Sequence, residues 1–122
     1  MEWEVEYTDE FERWWNSLDM AEQEEVEAKV ELLEAFGPTL PRPHSDVIVT
    51  SKHANMKELR AQVRQSQIRV LYAFDRRRTA LLLIGGDKTG NPRWYEQFVP
   101  VADKLFDEHL RELEKEANQH GP

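Results

Sequence analysis

Residues 56–86 read MKELRAQVRQSQIRVLYAFDRRRTALLLIGG, and their apolar pattern is the clearest indication of the fold. Its apolar residues fall into three runs separated by short polar segments, which is the pattern of consecutive strands. The third run is almost continuously apolar, as is typical of a central strand buried on both faces. The sequence therefore predicts a meander with strands at 56–63, 68–75 and 79–86 and turns at 65–67 and 76–78.

Three charged side chains are predicted to share one face of this meander. Alternate residues of a strand lie on the same face. Glu58, Arg60 and Arg69 alternate with the bulky apolar residues that should point toward a core, namely Leu59, Ala61, Val63, Ile68, Val70, Tyr72 and Phe74. If helices cover only the apolar face, the three charged side chains project together from an open face.

Further candidates lie at the rim of the same face. Lys88 follows the third strand, and Arg93, Trp94 and Tyr95 come slightly later. Trp94 or Tyr95 could stack on an unpaired base, or both could simply pack under the last helix. Lys57 falls in the core-facing register at the start of a strand, where its stem can carry the ammonium group to the surface. Lys57, Arg93 and Trp94 are therefore candidate RNA contacts.

The residues before the meander predict a strand and two helices. Residues 2–7 alternate between acidic and apolar types, which predicts a half-buried strand with Trp3, Val5 and Tyr7 inward. Thr8 is a predicted N-cap, and Asp19 with Glu22 has the spacing of a capping box. The apolar stripes of the two helices are Phe11, Trp14, Trp15 and Leu18, then Val26, Val30 and Leu33 with Phe36 near the end, before Gly37-Pro38 ends the second helix.

The complete order of elements predicts an α+β fold. Residues 37–55 contain three prolines and are predicted to form a long functional loop. Gly85-Gly86 and Gly90-Asn91-Pro92 mark an irregular loop after the third strand, and residues 100–118 are predicted to form a third helix. The order β-α-α-β-β-β-α is typical of a small, mainly antiparallel sheet that a helical hairpin and a C-terminal helix cover on one face. At 122 residues, positions 1–122 are predicted to form a single domain.

The net charge of the chain is −8, but acidic and basic residues are concentrated in different segments. Residues 1–36 hold 13 acidic and 2 basic side chains, residues 37–99 hold 5 and 11, and residues 100–122 hold 6 and 3. The predicted sheet is therefore locally basic, and local charge decides what docks on a face.

The absence of cysteine excludes disulfides and thiolate metal sites. No apolar span or secretion signal is evident, so we expect a cytoplasmic protein without membrane contact.

The predicted constellation suits RNA cleavage by the internal 2′-hydroxyl group. That reaction needs a base for the 2′-OH proton, cations for the phosphorane and an acid for the 5′-oxygen. One carboxylate among arginines and a lysine can supply these parts, so no metal or other cofactor is expected. The alternative is an ordinary solvated sheet surface, with Glu58 serving only as the ion-pair partner of Arg60 or Arg69.

The segments MKELR (56–60), IRVLY (68–72) and LLIGGDKT (82–89) resemble the RelE/HigB-like toxins of type II toxin–antitoxin systems, in the phage-derived Gp49-like branch. The resemblance implies a RelE-like microbial RNase-type fold and a metal-independent endoribonuclease that cuts mRNA, often in the ribosomal A site. It also implies neutralisation by a helix-turn-helix antitoxin. Matched by position, the family's catalytic set would be Glu58, Arg60, Arg69, Lys88 and Tyr95.

One departure from the family pattern keeps other functions open. Many relatives carry Gly-Phe and a lysine pair where this chain has Gly86-Asp87-Lys88, so one expected cation is an acid. The alternatives are a non-enzymatic gyrase inhibitor resembling ParE, or an inactive member that only binds an antitoxin. The charged set argues against the gyrase inhibitor, since ParE-like relatives generally lack it.

Overall fold

A computed structural model of the chain describes residues 2–120. Its strands and helices are β1 (Val5–Tyr7), α1 (Asp9–Asn16), α2 (Met20–Phe36), β2 (Ser45–Val47), β3 (Lys57–Val63), β4 (Ser66–Phe74), β5 (Ala80–Asp87) and α3 (Trp94–His120), with a 3-10 turn at Gly37–Thr39 after α2. The α+β class is confirmed, and the three strands of the meander begin and end within two residues of their predicted bounds.

The strands form one five-stranded sheet in the order β1-β5-β4-β3-β2. β1 pairs with β5 in parallel, and the other pairs are antiparallel. β2 was not predicted, because its three residues carry no alternating pattern that distinguishes them from a loop. It forms where the chain after the 3-10 turn runs beside β3, with Asp46 opposite Glu58.

The predicted helix caps are confirmed. Thr8 Oγ1 accepts a hydrogen bond from the backbone N–H of Phe11 over 3.0 Å. Asp19 and Glu22 form a reciprocal capping box, with hydrogen bonds of 2.9 and 3.0 Å. Gly37 ends α2 with a φ of 59°, a left-handed conformation that favours glycine.

Helices cover both faces of the sheet, so the expectation of one covered face is wrong. Helices α1 and α2 pack on the face that carries Leu59, Val70 and Leu82. Helix α3 packs on the opposite face, against Leu71 and Ala73 among others. Because the second face also carries apolar residues at alternate positions, it requires a cover of its own. On this face Glu58 lies directly opposite Leu71 of the apolar cluster, and Arg60 and Arg69 follow along the same strand pair.

Helix α3 begins six residues before its predicted start at residue 100. Asn91 caps this start, since its Oδ1 accepts a hydrogen bond from Arg93 N over 3.1 Å and its carbonyl accepts one from Trp94 N over 3.1 Å. Pro100, taken from sequence as a helix start, lies inside the helix. This earlier start brings Tyr95 onto the sheet.

Two side chains predicted to point inward are exposed. Tyr7 is 58% exposed at the edge strand β1, and Phe36 is 52% exposed at the end of α2. Trp3 and Val5, the other members of the predicted inward set, are partly buried.

Within residues 2–120, no helix is both long enough and apolar enough to cross a membrane.

Candidate active site

Glu58 is a buried carboxylate on the α3 face of β3, with 2% of the residue exposed. Its Oε1 accepts a hydrogen bond from the hydroxyl group of Tyr95 over 2.6 Å. Its Oε2 accepts one from Nε of Arg60 over 3.1 Å, and Nε of Arg69 lies 3.5 Å from Oε1. Four of the five predicted catalytic residues therefore meet around one carboxylate.

Strand pairing sets the positions of these side chains. Arg60 and Arg69 are directly opposite each other in the β3–β4 pair, and Glu58 lies two residues before Arg60 on the same face. On the other side of β4, Arg69 is opposite Gly86 of β5. A β-carbon at position 86 would lie 2.6 Å from Nε1 of Trp94, so glycine lets the first turn of α3 dock closely.

Arg69 is the more buried of the two arginines, with 12% of its side chain exposed. One terminal N–H donates to the carbonyl of Ile68 over 3.0 Å. Its buried Nε makes no hydrogen bond within residues 2–120. A buried charged donor without a hydrogen bond is costly, and this cost is offset only by the charge of Glu58, whose Oε1 lies 3.5 Å away.

Arg60 is held by a second acid that sequence reasoning missed. Its terminal nitrogen donates to Oδ2 of Asp46 over 3.0 Å, and Nε of Arg42 lies 3.1 Å from the same oxygen. The backbone N–H of Val47 lowers the pKa of Asp46, and the two arginines lower it further against the opposing effect of burial. Asp46 joins the site only because β2 pairs with β3, which no local pattern indicated.

Tyr95 and Lys88 form the outer part of the rim. Nζ of Lys88 lies 5.8 Å from the ring centroid of Tyr95, and both line a hollow of about 370 Å³ with Gly90, Asn91 and Pro92. Burial raises the pKa of the Tyr95 hydroxyl, and the hydrogen bond and negative charge of Glu58 raise it further. Tyr95 is therefore a protonated donor at neutral pH.

The three predicted RNA contacts do not join this cluster. Trp94 is 1% exposed and stacks on Phe98, with 5.0 Å between ring centroids, so its ring is not available to a base. Arg93 is exposed and pairs with Glu96 over 2.8 Å. Lys57 lies in the core-facing register, as predicted, and its Nζ donates to the carbonyl of Pro38 over 2.9 Å. Of the two candidate aromatic residues, only Tyr95 contacts Glu58.

The assembled groups match the requirements of phosphoryl chemistry at RNA. A carboxylate, a phenol, two guanidinium groups and an ammonium group surround one rim at the end of the sheet. Guanidinium groups bind phosphate oxygens through paired hydrogen bonds and stay charged at every physiological pH. Among the residues that the structure describes, no group of three or more His, Asp or Glu side chains is placed to hold a metal ion.

Residues 13–107 match the family described as "Phage derived protein Gp49-like". The chain belongs to this family. Two similar proteins of Mycobacterium tuberculosis, HigB2 and HigB3, are toxins by name. HigB3 is 43% identical over 111 residues, covering 90% of each chain. HigB2 is 42% identical over 115 residues, covering 90% of this chain and 57% of HigB2, so this chain spans little more than half of that protein.

Solved structures confirm the RelE-like fold of this Gp49-like protein. RelE in the archaeal RelE–RelB complex of Pyrococcus horikoshii superposes with a TM-score of 0.54 at 22% identity, covering 75% of this chain and 99% of that one. A mutant of Escherichia coli RelE in the free state gives 0.56 at 12% identity, covering 79% and 94%. The resemblance to RelE/HigB-like toxins seen in the sequence is thus confirmed.

Proposed function

We propose that this chain is the toxin of a type II toxin–antitoxin system and acts as a metal-independent endoribonuclease on mRNA. One observation carries the proposal: the carboxylate of Glu58 is held by Tyr95, Arg60 and Arg69 at a rim that Lys88 completes. The names of HigB2 and HigB3 support the toxin assignment. The cluster supports RNA as the substrate, since its cations suit phosphate and its phenol ring suits a base.

In the proposed reaction the 2′-oxygen of a ribose attacks the adjacent phosphorus atom. Glu58 takes the proton from the 2′-hydroxyl group, and Arg60 and Arg69 neutralise the charge that builds on the phosphorane oxygens. The bond from phosphorus to the 5′-oxygen then breaks, and Lys88 protonates the leaving oxygen. The products are a 2′,3′-cyclic phosphate and a 5′-hydroxyl end, and no external nucleophile is needed.

Burial of Glu58 implies that RNA must rearrange the cluster before reaction. A phosphate competes with the carboxylate for the guanidinium groups of Arg60 and Arg69, and their movement toward the phosphate uncovers Glu58. Such an exchange needs an RNA strand that is held in a fixed position, since orienting a free RNA strand for attack costs several kcal/mol. We therefore propose that the ribosome presents the mRNA in its A site. A helix-turn-helix antitoxin is the proposed neutralising partner.

Primer extension on a defined mRNA in a translating cell-free extract tests this function. The comparison uses the wild type, Arg60→Ala/Arg69→Ala, and a control, Arg13→Ala/Arg111→Ala, that removes two exposed arginines elsewhere. We expect cuts within codons from the wild type and the control, and none from the first double variant. Repeating the assay with untranslated RNA tests the ribosome requirement, since cuts there would exclude it.

Two outcomes would overturn the proposal. Cuts that persist in Arg60→Ala/Arg69→Ala would place the chemistry elsewhere. A wild type that leaves mRNA intact and translation unaffected would favour the non-enzymatic alternatives, and inhibited DNA supercoiling would then identify the gyrase inhibitor. Circular dichroism of the double variant shows whether loss of cutting reflects the site or loss of the fold.

A further inference from the structure

A second concave surface lies on the α1–α2 face of the sheet, beside β1. This groove of about 670 Å³ has an apolar floor and an acidic rim. The floor includes Tyr7, Phe11, Trp15, Val30 and Leu82, and the rim consists of Glu12, Glu27 and Glu34. Tyr7 is 58% exposed, whereas Phe11 and Leu82 are buried, so Tyr7 is the floor side chain most open to solvent.

The acidic rim lacks internal compensation. Glu12, Glu27 and Glu34 form no ion pair within residues 2–120. Burial raises the pKa of Glu34, and repulsion from Glu2, Glu31 and Glu4 raises it further. Unpaired carboxylates over an apolar floor match a partner that brings both cations and apolar side chains.

The backbone of β1 also offers free hydrogen-bonding groups beside the groove. The carbonyl of Glu4 accepts from Ala80 N over 3.0 Å, and Thr8 N donates to the carbonyl of Leu82 over 3.1 Å. Because backbone groups alternate in direction along a strand, Val5 and Tyr7 direct theirs away from β5. β1 is an edge strand of the sheet, so these groups can pair with an added strand.

The catalytic rim carries the cations Arg60, Arg69 and Lys88, so it does not attract a basic segment. An acidic segment could pair there only by displacing Glu58 and Asp46 from the two arginines, as the phosphate of RNA must. The largest excess of charge lies in the N-terminal region, where residues 1–36 hold 13 acidic and 2 basic side chains.

We propose that this groove receives an extended segment of alternating basic and apolar residues, supplied by the protein that neutralises the toxin. The segment adds a strand to β1, places apolar side chains on the floor and sets its lysines or arginines against Glu12, Glu27 and Glu34. This inference rests on the proposed function. The groove lies on the opposite sheet face from Glu58 and three strands away, roughly 14 Å in the plane of the sheet. The bound segment therefore leaves the catalytic rim uncovered.

A charge-reversal experiment tests the groove without touching the catalytic residues. The probe is the purified protein encoded by the reading frame adjacent to the gene for this chain. Glu12→Lys/Glu27→Lys alters two exposed rim positions, and Glu114→Lys/Glu116→Lys makes the same charge change on the exposed surface of α3. All three chains should cut mRNA equally when the probe is absent. We expect affinity for the probe to fall at least about tenfold in the rim variant only.

Amide hydrogen exchange tests the strand pairing directly. In the complex, exchange at the amides of Val5 and Tyr7 should slow, while the catalytic rim should keep its exchange rates. Equal binding of both charge variants would overturn the inference, as would protection centred on Arg60 and Arg69 or an adjacent gene product that does not bind. A wild type that cuts no mRNA contradicts the proposed function instead, so the two failures are distinguishable.

Discussion

The hydroxyl group of Tyr95 donates a hydrogen bond to Glu58 over 2.6 Å and so joins the first turn of α3 to the start of β3. The two residues are 37 positions apart, and the contact exists only when α3 is docked on the sheet. Trp94 anchors that turn by packing against Gly86. The geometry of the site thus depends on the packing of a helix as well as on strand register.

Replacement of Glu58 should separate its structural role from its proposed chemical role. Glu58→Ala leaves the buried Arg69 without its counter-charge, so the free energy of unfolding should fall by about 3 kcal/mol. Glu58→Gln retains an acceptor for Tyr95 and should cost less, yet it removes the proposed base and should abolish cutting. Urea unfolding and primer extension measure the two effects. Full activity in Glu58→Gln would exclude Glu58 as the base.

Tyr95→Phe should change how stability depends on alkaline pH. The pKa of Tyr95 is raised in the folded state, by burial first and by Glu58 second, so the folded chain holds this proton more tightly. The resulting stability is present below the ordinary tyrosine pKa of about 10 and is lost as pH rises through the folded value. Urea unfolding between about pH 8 and 11 should show a smaller decline for Tyr95→Phe than for the wild type.

Tyr72→Phe removes a second buried hydroxyl group that lies away from the proposed catalytic residues. Burial raises the pKa of Tyr72 to about 12, and its hydroxyl group pairs with Ser45 rather than with Glu58. The variant should also reduce the alkaline decline in stability, yet it should leave cutting near the wild-type rate. Identical pH profiles for wild type and Tyr95→Phe would contradict the raised pKa of Tyr95.

Asp46→Asn should strengthen RNA binding by removing a competitor for Arg60. Asp46 holds both Arg60 and Arg42, and a phosphate must displace it to use those cations. One additional phosphate contact should make the slope of log K against log salt steeper by about 0.7 for single-stranded RNA. Fluorescence anisotropy across a salt series measures the slope. Asp9→Asn, which changes the same charge at an exposed position on α1, should leave the slope unaltered.

Gly86→Ala should disturb the site through α3. The added methyl group would lie 2.6 Å from Nε1 of Trp94, so the first turn of the helix must shift. Overpacking of this kind lowers the free energy of unfolding by about 1–3 kcal/mol. Movement of Tyr95 should in addition lower the cutting rate of the protein that remains folded. Unfolding curves and cutting rates at a temperature where the variant is folded test this. Gly90→Ala meets no neighbouring atom but has a φ of 70°, so it should cost stability through backbone strain without displacing Trp94.

Asp75 should govern stability in acid. Burial alone raises the pKa of Asp75, but hydrogen bonds from Arg77, His109 and the backbone N–H groups of Arg77 and Thr79 outweigh it and lower the pKa. This stability is present above the ordinary aspartate pKa of about 4 and is lost as pH falls through the folded value. Asp75→Asn should lower the free energy of unfolding at pH 7 by about 3 kcal/mol and flatten its decline below about pH 4. Glu116→Gln on the exposed surface of α3 should change neither quantity.

Local sequence patterns correctly predicted those elements whose structure depends on a short segment alone. Alternation predicted β3 and β4, the Asp19–Glu22 spacing predicted a capping box, and Gly37 predicted the end of α2. The same alternation placed Glu58, Arg60 and Arg69 on one face, because strand geometry has a period of two residues. Pro100 misled the prediction of α3, because the signal that starts the helix comes from Asn91 nine residues earlier.

Residues close together in the chain specify the strand order of the meander, the two N-terminal helices and the shared face of the charged set, so local patterns predict these features. Three other features depend on tertiary packing: α3 covers the second face, Tyr95 rather than Trp94 reaches Glu58, and Asp46 holds Arg60. These contacts depend on how distant elements pack, and on β2 and α3 in particular. Burial of apolar residues on both faces sets that packing, which no single local pattern contains.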